Sequence, residues 1–321
     1  MNRSLRVLLL IIAAFFCRTS FAQVIHEDDT TSFNTDDLEK ILHDASDGKA
    51  KSGYFVSATF KSTRIINGHS IENVGKGVLD FRIAHRFGQL NEGIKNLYGL
   101  DNATTKFSFD YGITDWLMVG VGRSSYEKEY DGFFKVKLLR QTIDEKYPLS
   151  LSFVSGMSVR TLDILNLPGY TYYFNNRLYY FSQLLIARKF NNWFSLQLMP
   201  TYLHYNLVTF ADEPNDVLAM GIGGRIKLNR RIAITYEYYY TVPGHKLDGY
   251  NNPLSVGIDI ETGGHVFQLF LTNAASTTER AFIGETSGDI NKGAIHLGFN
   301  ISRVFTVVRS KENRNSGNKV W

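Results

Sequence analysis

Residues 107–122, 186–198 and 221–237 repeat one arrangement: apolar residues alternate with polar ones or glycine, break at an Asp or Asn turn, and alternate again. A period of two buries one face of a strand and wets the other, so each stretch predicts an antiparallel hairpin. Alternation continues over about 77–87, 104–111, 116–125, 132–139, 149–159, 177–190, 194–206, 218–229, 232–242, 254–262, 265–275 and 292–305. In the first of these, Leu79, Phe81 and Ile83 oppose Asp80, Arg82 and Arg86. Further on, Val256, Ile258 and Ile260 oppose Gly257, Asp259 and Glu261. Aliphatics on one face and charges on the other match the lipid and lumen sides of a closed transmembrane β-barrel, and 23 Phe with 18 Tyr suit its aromatic girdles. A soluble all-β sandwich is the competing architecture.

The N-terminus carries Arg3 and Arg6, an apolar run from Val7 to Phe16, and Ser20-Phe21-Ala22. That order is a secretory signal peptide over 1–22, too short to span a bilayer as a helix. Its removal takes the only cysteine, Cys17, so neither a disulfide partner nor a thiolate is expected in the mature chain. Losing Arg3, Arg6 and Arg18 also lowers the formal net charge from +4 to +1, which removes the case for a nucleic-acid partner. Between Gln23 and Lys51 eight acidic residues face three lysines. Residues 23–52 therefore form an acidic segment, with a short helix suggested by Leu38, Ile41 and Leu42 after Asp36 and Asp37.

Connection lengths orient the barrel, since tight turns face the periplasm and long loops the exterior. Links at 112–115, 191–193, 230–231 and 263–264 are tight and fall on one side, with 65–76 and 140–148 sharing it. A strand at 54–64 would make an odd count. The expectation is therefore about twelve strands, an up-and-down antiparallel barrel over 53–305, with 53–76 as a lumenal or periplasmic segment and 306–321 as a basic tail. Fourteen strands, with one missed near Tyr170, Tyr172 and Tyr173, is the alternative. Both termini then lie in the periplasm of a Gram-negative-type bacterium, and the acidic and basic ends could pair to hold a loose plug. Pro200, inside a strand, predicts a bulge at Met199–Pro200. Trp116 and Trp193 follow tight turns, at girdle depth.

Residues 59–70 (Thr-Phe-Lys-Ser-Thr-Arg-Ile-Ile-Asn-Gly-His-Ser), 77–88 and 121–132 carry a resemblance. On them the chain resembles an uncharacterised family of bacterial outer-membrane β-barrels, known only as a domain of unknown function. The resemblance implies the fold and location. It supplies neither an activity nor site residues. The last strand, with Ile295, Leu297, Phe299 and Ile301 on one face and Phe305 at its end, is similar to the signal read by the barrel insertion machinery, an expected partner beside outer-membrane lipids.

No catalytic set is evident, and an enzyme is not the favoured reading. No His-x-Ser, His-x-His or His-Glu-x-x-His occurs, and His69-Ser70 reads as a solvated turn. Asp248-Gly-Tyr-Asn-Asn252 could offer oxygen ligands to calcium but reads first as a turn. No metal or cofactor is expected. Glycines 120, 122, 221, 223 and 224 lack a following Lys-Ser/Thr and read as small residues making room in a crowded lumen.

The lumen is the candidate site. The polar face places Asp80, Arg82, Arg86, Lys106, Asp110, Lys135, Lys137, Arg225, Lys227, Glu237, Asp259 and Glu261 inward as possible solute contacts. This mixed lining suits a channel for small solutes with weak anion preference at most, or a salt-bridged closed interior. Alternatives are a lipid-active enzyme assembled from distant strands and a structural or binding barrel acting through Tyr-rich outer loops.

Overall fold

The alternating stretches become β1 (Val78–Gln89), β2 (Ala103–Gly112), β3 (Leu117–Ser124), β4 (Glu129–Leu139), β5 (Ser150–Arg160) and β6 (Leu178–Lys189). They continue as β7 (Phe194–Tyr205), β8 (Asp216–Lys227), β9 (Ile232–Thr241), β10 (Leu254–Thr262), β11 (His265–Thr272) and β12 (His296–Thr306). The structure is a computed structural model that describes residues 55–162 and 173–308. Each strand pairs antiparallel with its sequence neighbours, and β1 pairs with β12 to close the barrel. Closure satisfies every edge, which a sheet in lipid requires. β5 pairs directly with β6 from Ser150↔Ala187 to Val159↔Leu178. That pairing leaves no gap for another strand, so the barrel has twelve and not fourteen. Phe55 forms an isolated bridge to Thr142, and the stretch that follows it is not a strand.

Connections 113–116, 140–149, 190–193, 228–231 and 263–264 share one rim, here the turn rim; 90–102, 125–128, 161–177, 206–215, 242–253 and 273–295, mostly longer, share the loop rim. On the outer wall Phe107, Phe109, Val121, Phe134, Val256, Ile258, Leu269 and Leu271 are exposed, and Trp116 and Trp193 stand exposed at the turn rim. An apolar belt of this extent has no place in water. The main packed core lies inside the ring, where Met118, Phe133, Val154, Leu185, Met199 and Tyr239 meet Phe60, Ile65, Ile71 and Val74 from the segment before β1.

Three local expectations are corrected. No bulge forms at Met199–Pro200. Pairing of β6 with β7 lapses between Gln183↔Thr201 and Ile186↔Leu198 and resumes in the same register, so the absent proline N–H is tolerated without an inserted residue. The β7–β8 ladder runs through Met199↔Gly221 and Pro200↔Met220 unbroken. Gly224 does not face the lumen with its neighbours; a Cβ there would meet the outward Tyr236 hydroxyl at 2.4 Å. Strand β4 begins at Glu129, three residues before the expected start, which brings Glu129 and Asp131 into the wall.

Inward glycines answer to bulky neighbours across the ladder. A Cβ on Gly120 would lie 2.3 Å from the Phe133 ring, and one on Gly221 would lie 2.5 Å from Tyr239. Both rings are packed in the core and have nowhere to retreat. Gly120→Val is expected to abolish most folded barrel, whereas the outward Val121→Ala leaves it intact. Heat-modifiable mobility on gels checks this: equal folded fractions for the two variants would contradict the packing.

Candidate functional site

Residues 59–74 leave the turn rim, run into the lumen as a hairpin and return to β1. Near its ends, Val56 N–H donates to Gln141 O and Lys189 Nζ to Ser57 O, while Gly77 N–H donates to Gly112 O. All three contacts lie at the turn rim. Inside, Arg64 bridges His69, and Ile65 N–H donates to Gly68 O across a turn centred on Ile66-Asn67. Gly68 stands at the fourth position of this turn, where glycine is favoured.

The tip is held by a buried carboxylate. Glu237 of β9 accepts from the N–H groups of Ile66 (3.3 Å), Asn67 (2.8 Å) and Gly68 (3.1 Å), and from Asn67 Nδ2 (2.8 Å). Asn67 also donates to Ser255 Oγ at 3.0 Å and accepts from Arg86 at 2.6 Å. Gly68 has no room for a side chain, because a Cβ would lie 2.0 Å from the Tyr239 hydroxyl. Lower down, Thr63 donates to Asp110 (2.8 Å), and Arg82 reaches Ser62, Thr63 and Asp80. Lys61 pairs with Glu261 at 3.0 Å near the rim.

A second element reaches into the lumen from above. The connection 273–295 between β11 and β12 folds inward, and Ala281, Phe282 and Ile283 on one wide helical turn (Arg280–Gly284) are fully buried. Arg280 sits among three carboxylates: Glu127 (2.5 Å), Glu129 (3.2 Å) and Glu285 (2.5 Å), with its guanidinium 4.5 Å from the Tyr179 ring centre. Burial opposes that charge, but attraction to Glu129, Glu285 and Glu127 outweighs it and holds the guanidinium well above its ordinary pKa. The adjacent Glu279 turns the other way and pairs with Arg64 of the hairpin, 3.3 Å from His69 Nε2. The two occluding elements therefore meet at mid-lumen.

Of the inward charges expected from the sequence, Asp80, Arg82, Arg86, Lys106, Asp110, Lys135, Arg225, Glu237 and Asp259 are buried. Lys137, Lys227 and Glu261 are half-buried toward the turn rim. An open pore leaves such side chains exposed; these are covered by the hairpin and the inward loop. His69-Ser70 is corrected: it is no solvated turn but fully buried, with His69 edge-on to Phe133 at 4.4 Å between ring centres. Arg64, Glu129, Asp131, Glu279 and Arg280 escaped the sequence reading. Glu129 and Asp131 share the parity of Lys135 and Lys137, and Ala-Phe-Ile at 281–283 is an apolar run within a polar loop; both signals were available. The acidic segment 23–52 and the tail beyond 308, proposed to pair, lie outside the described residues.

Other chemistry finds little footing. Among the described residues no group of three or more His, Cys, Asp or Glu is arranged to hold a metal ion. At 248–252, Asn252 Oδ1 is engaged by Thr241. On the outer wall His204 lies 2.6 Å from Asp216, but the outward Ser182 pairs with Ser155 at 3.0 Å instead.

Together these features define a closed antiparallel β-barrel with an apolar outer belt and an occluded polar lumen. Residues 60–305 match the membrane bound beta barrel domain family (DUF5777), and the chain belongs to it. It is a membrane-bound β-barrel. No curated protein matches. Among solved structures it is similar to an outer membrane channel from Pseudomonas putida F1 (11% identity, TM-score 0.46, covering 73% of this chain and 98% of that one). It is also similar to the NanC porin (7%, 0.45, 70% and 98%) and to Omp33 of Acinetobacter baumannii (9%, 0.39, 73% and 100%).

The Arg280 cage generates a stability expectation. Arg280→Ala leaves buried Glu129 and half-buried Glu285 without their cation, a change that costs about 3–5 kcal/mol. Urea unfolding in lipid vesicles is expected to show a loss of that size. A loss under about 1 kcal/mol, the level of an exposed pair, would contradict the cage.

Proposed function

We propose that this protein is an outer-membrane channel for small polar solutes, closed at rest by its own lumenal hairpin. The turn rim faces the periplasm and the loop rim the exterior. One observation carries the reading: the hairpin enters and leaves by the same rim, so it withdraws without threading the chain through the barrel. The wall behind it is lined by charged groups (Asp80, Arg82, Lys106, Asp110 and Lys135) that water can solvate once the hairpin leaves. A lumen filled for stability alone has a less demanding solution in apolar side chains. Mixed signs along the wall suit polar solutes of either charge, without strong ion selectivity.

The filled lumen favours one competing reading, a structural or binding barrel that never opens. Gly68→Val separates the two, because it overpacks the tip against Tyr239 and leaves the wall unchanged. Overpacking costs about 1–3 kcal/mol, so a closed-to-open equilibrium moves roughly ten- to hundredfold toward open. In planar bilayers the native protein is expected to be nearly silent and Gly68→Val to conduct. A folded Gly68→Val barrel that stays silent, like a Glu237→Ala barrel that does so, would support the structural reading instead.

A further inference from the structure

The wall grips the hairpin by its main chain as well as by its side chains. Glu237 of β9 receives three successive N–H groups, from residues 66, 67 and 68. Gln268 of β11 donates to Ile65 O (2.6 Å), Asn300 of β12 to Ile66 O (2.9 Å) and Gln197 of β7 to His69 O (2.7 Å). Lys135 of β4 places its ammonium on three carbonyls: Thr63 (3.5 Å), Ser70 (3.1 Å) and Glu72 (2.5 Å). Five strands thus contribute one side chain each to peptide groups.

The charged pair within this set is the informative part. Lys135 and Glu237 are both buried, and neither is paired with a side-chain counter-ion from the hairpin. One is neutralised by carbonyl oxygens, the other by amide hydrogens and the Asn67 amide. Groups arranged to hold one particular sequence address its side chains. Groups arranged for carbonyls and N–H groups bind polypeptide largely irrespective of sequence, as in strand-addition grooves, where the main chain supplies affinity and a few pockets supply selectivity. Here the pocket is the tip, where Asn67 meets Glu237, Ser255 and Arg86, and Tyr239 admits only glycine next to it.

We propose that the lumen wall is a receptor for short oligopeptides presenting an Asn-Gly turn, and that the hairpin is its built-in occupant. This deepens the channel reading and rests on it for the ligand's route into the lumen. Free peptides then compete with the hairpin for the same donors and acceptors, so arrival of a peptide solute favours withdrawal of the plug.

The test is binding, measured apart from conduction. The full chain with residues 60–73 replaced by a Gly/Ser linker, and separately the Gly68→Val chain in case the first fails to fold, is purified in detergent. Fluorescently labelled Arg-Ile-Ile-Asn-Gly-His-Ser is titrated against each. A second peptide keeps Asn-Gly and exchanges the flanking side chains for alanine, and a malto-oligosaccharide of equal mass serves as competitor. Saturable binding is expected, with the flank-exchanged peptide within about tenfold of the native one, no competition by the sugar, and at least roughly tenfold loss on adding Glu237→Ala, the scale of one charge-assisted hydrogen bond. No saturable binding to either folded barrel, equal competition by the sugar, or indifference to Glu237→Ala would overturn the proposal. Conduction by the same variants reports separately on the channel: peptide binding by a silent barrel keeps the receptor and discards the pore, and conduction without binding does the reverse.

Discussion

A buried carboxylate that makes no direct ion pair among the described residues organises this molecule. Glu237 stands at mid-barrel, and the free energy of holding it there is recovered through four hydrogen bonds from the hairpin tip. Without the tip it faces water or other lumenal charges; with it, three peptide N–H groups and an amide replace the hydration shell. The reciprocal case is Lys135, whose ammonium rests on hairpin carbonyls. Barrel wall and hairpin each supply what the other lacks, so the lumen is filled although it is polar.

The inward loop adds a second layer to the same logic. Arg280 is tied to Glu129 at the start of β4 and to Glu127 just before it, and is braced by Glu285 of its own loop, while its neighbour Glu279 faces the hairpin and takes Arg64. Adjacent residues of opposite charge thus tie one loop to two different surfaces. Displacing the hairpin leaves Glu279 without its cation, and freeing the loop does the same to Arg64. A buried charge stripped of its partner is costly, which makes the closed state cooperative.

Much of the architecture was legible in the chain because β-barrels write their two environments into alternate positions. Asp80, Arg82 and Arg86 against Leu79, Phe81 and Ile83 settle which face of β1 is inward, and the turn residues at 112–115 and 263–264 separate the rims. The strand count followed from parity. Pro200 was misjudged because a ladder can lose two pairs without changing register. The site was less legible for a physical reason. Period two identifies which side chains face inward, yet it carries no information on what they meet there. His69 looked like a solvated turn because its partners, Phe133 and Glu279, lie far away in sequence. Glu279 and Arg280 sat in a stretch assigned to outer loop, where only the apolar run at 281–283 hinted at burial.

The measurement closest to the central claim is a cross-link between the hairpin tip and the wall. Asn67 and Ser255 touch through Nδ2 and Oγ at 3.0 Å, and the single native cysteine, Cys17, lies far outside this region of the sequence. With Asn67→Cys and Ser255→Cys combined in the otherwise native chain, mild oxidation of the folded protein in membranes is expected to join the two positions in most molecules. If the cysteine at position 67 instead reacts freely with a bulky maleimide and no cross-link to position 255 forms, the tip does not occupy the lumen and the account of a closed, hairpin-filled barrel is wrong.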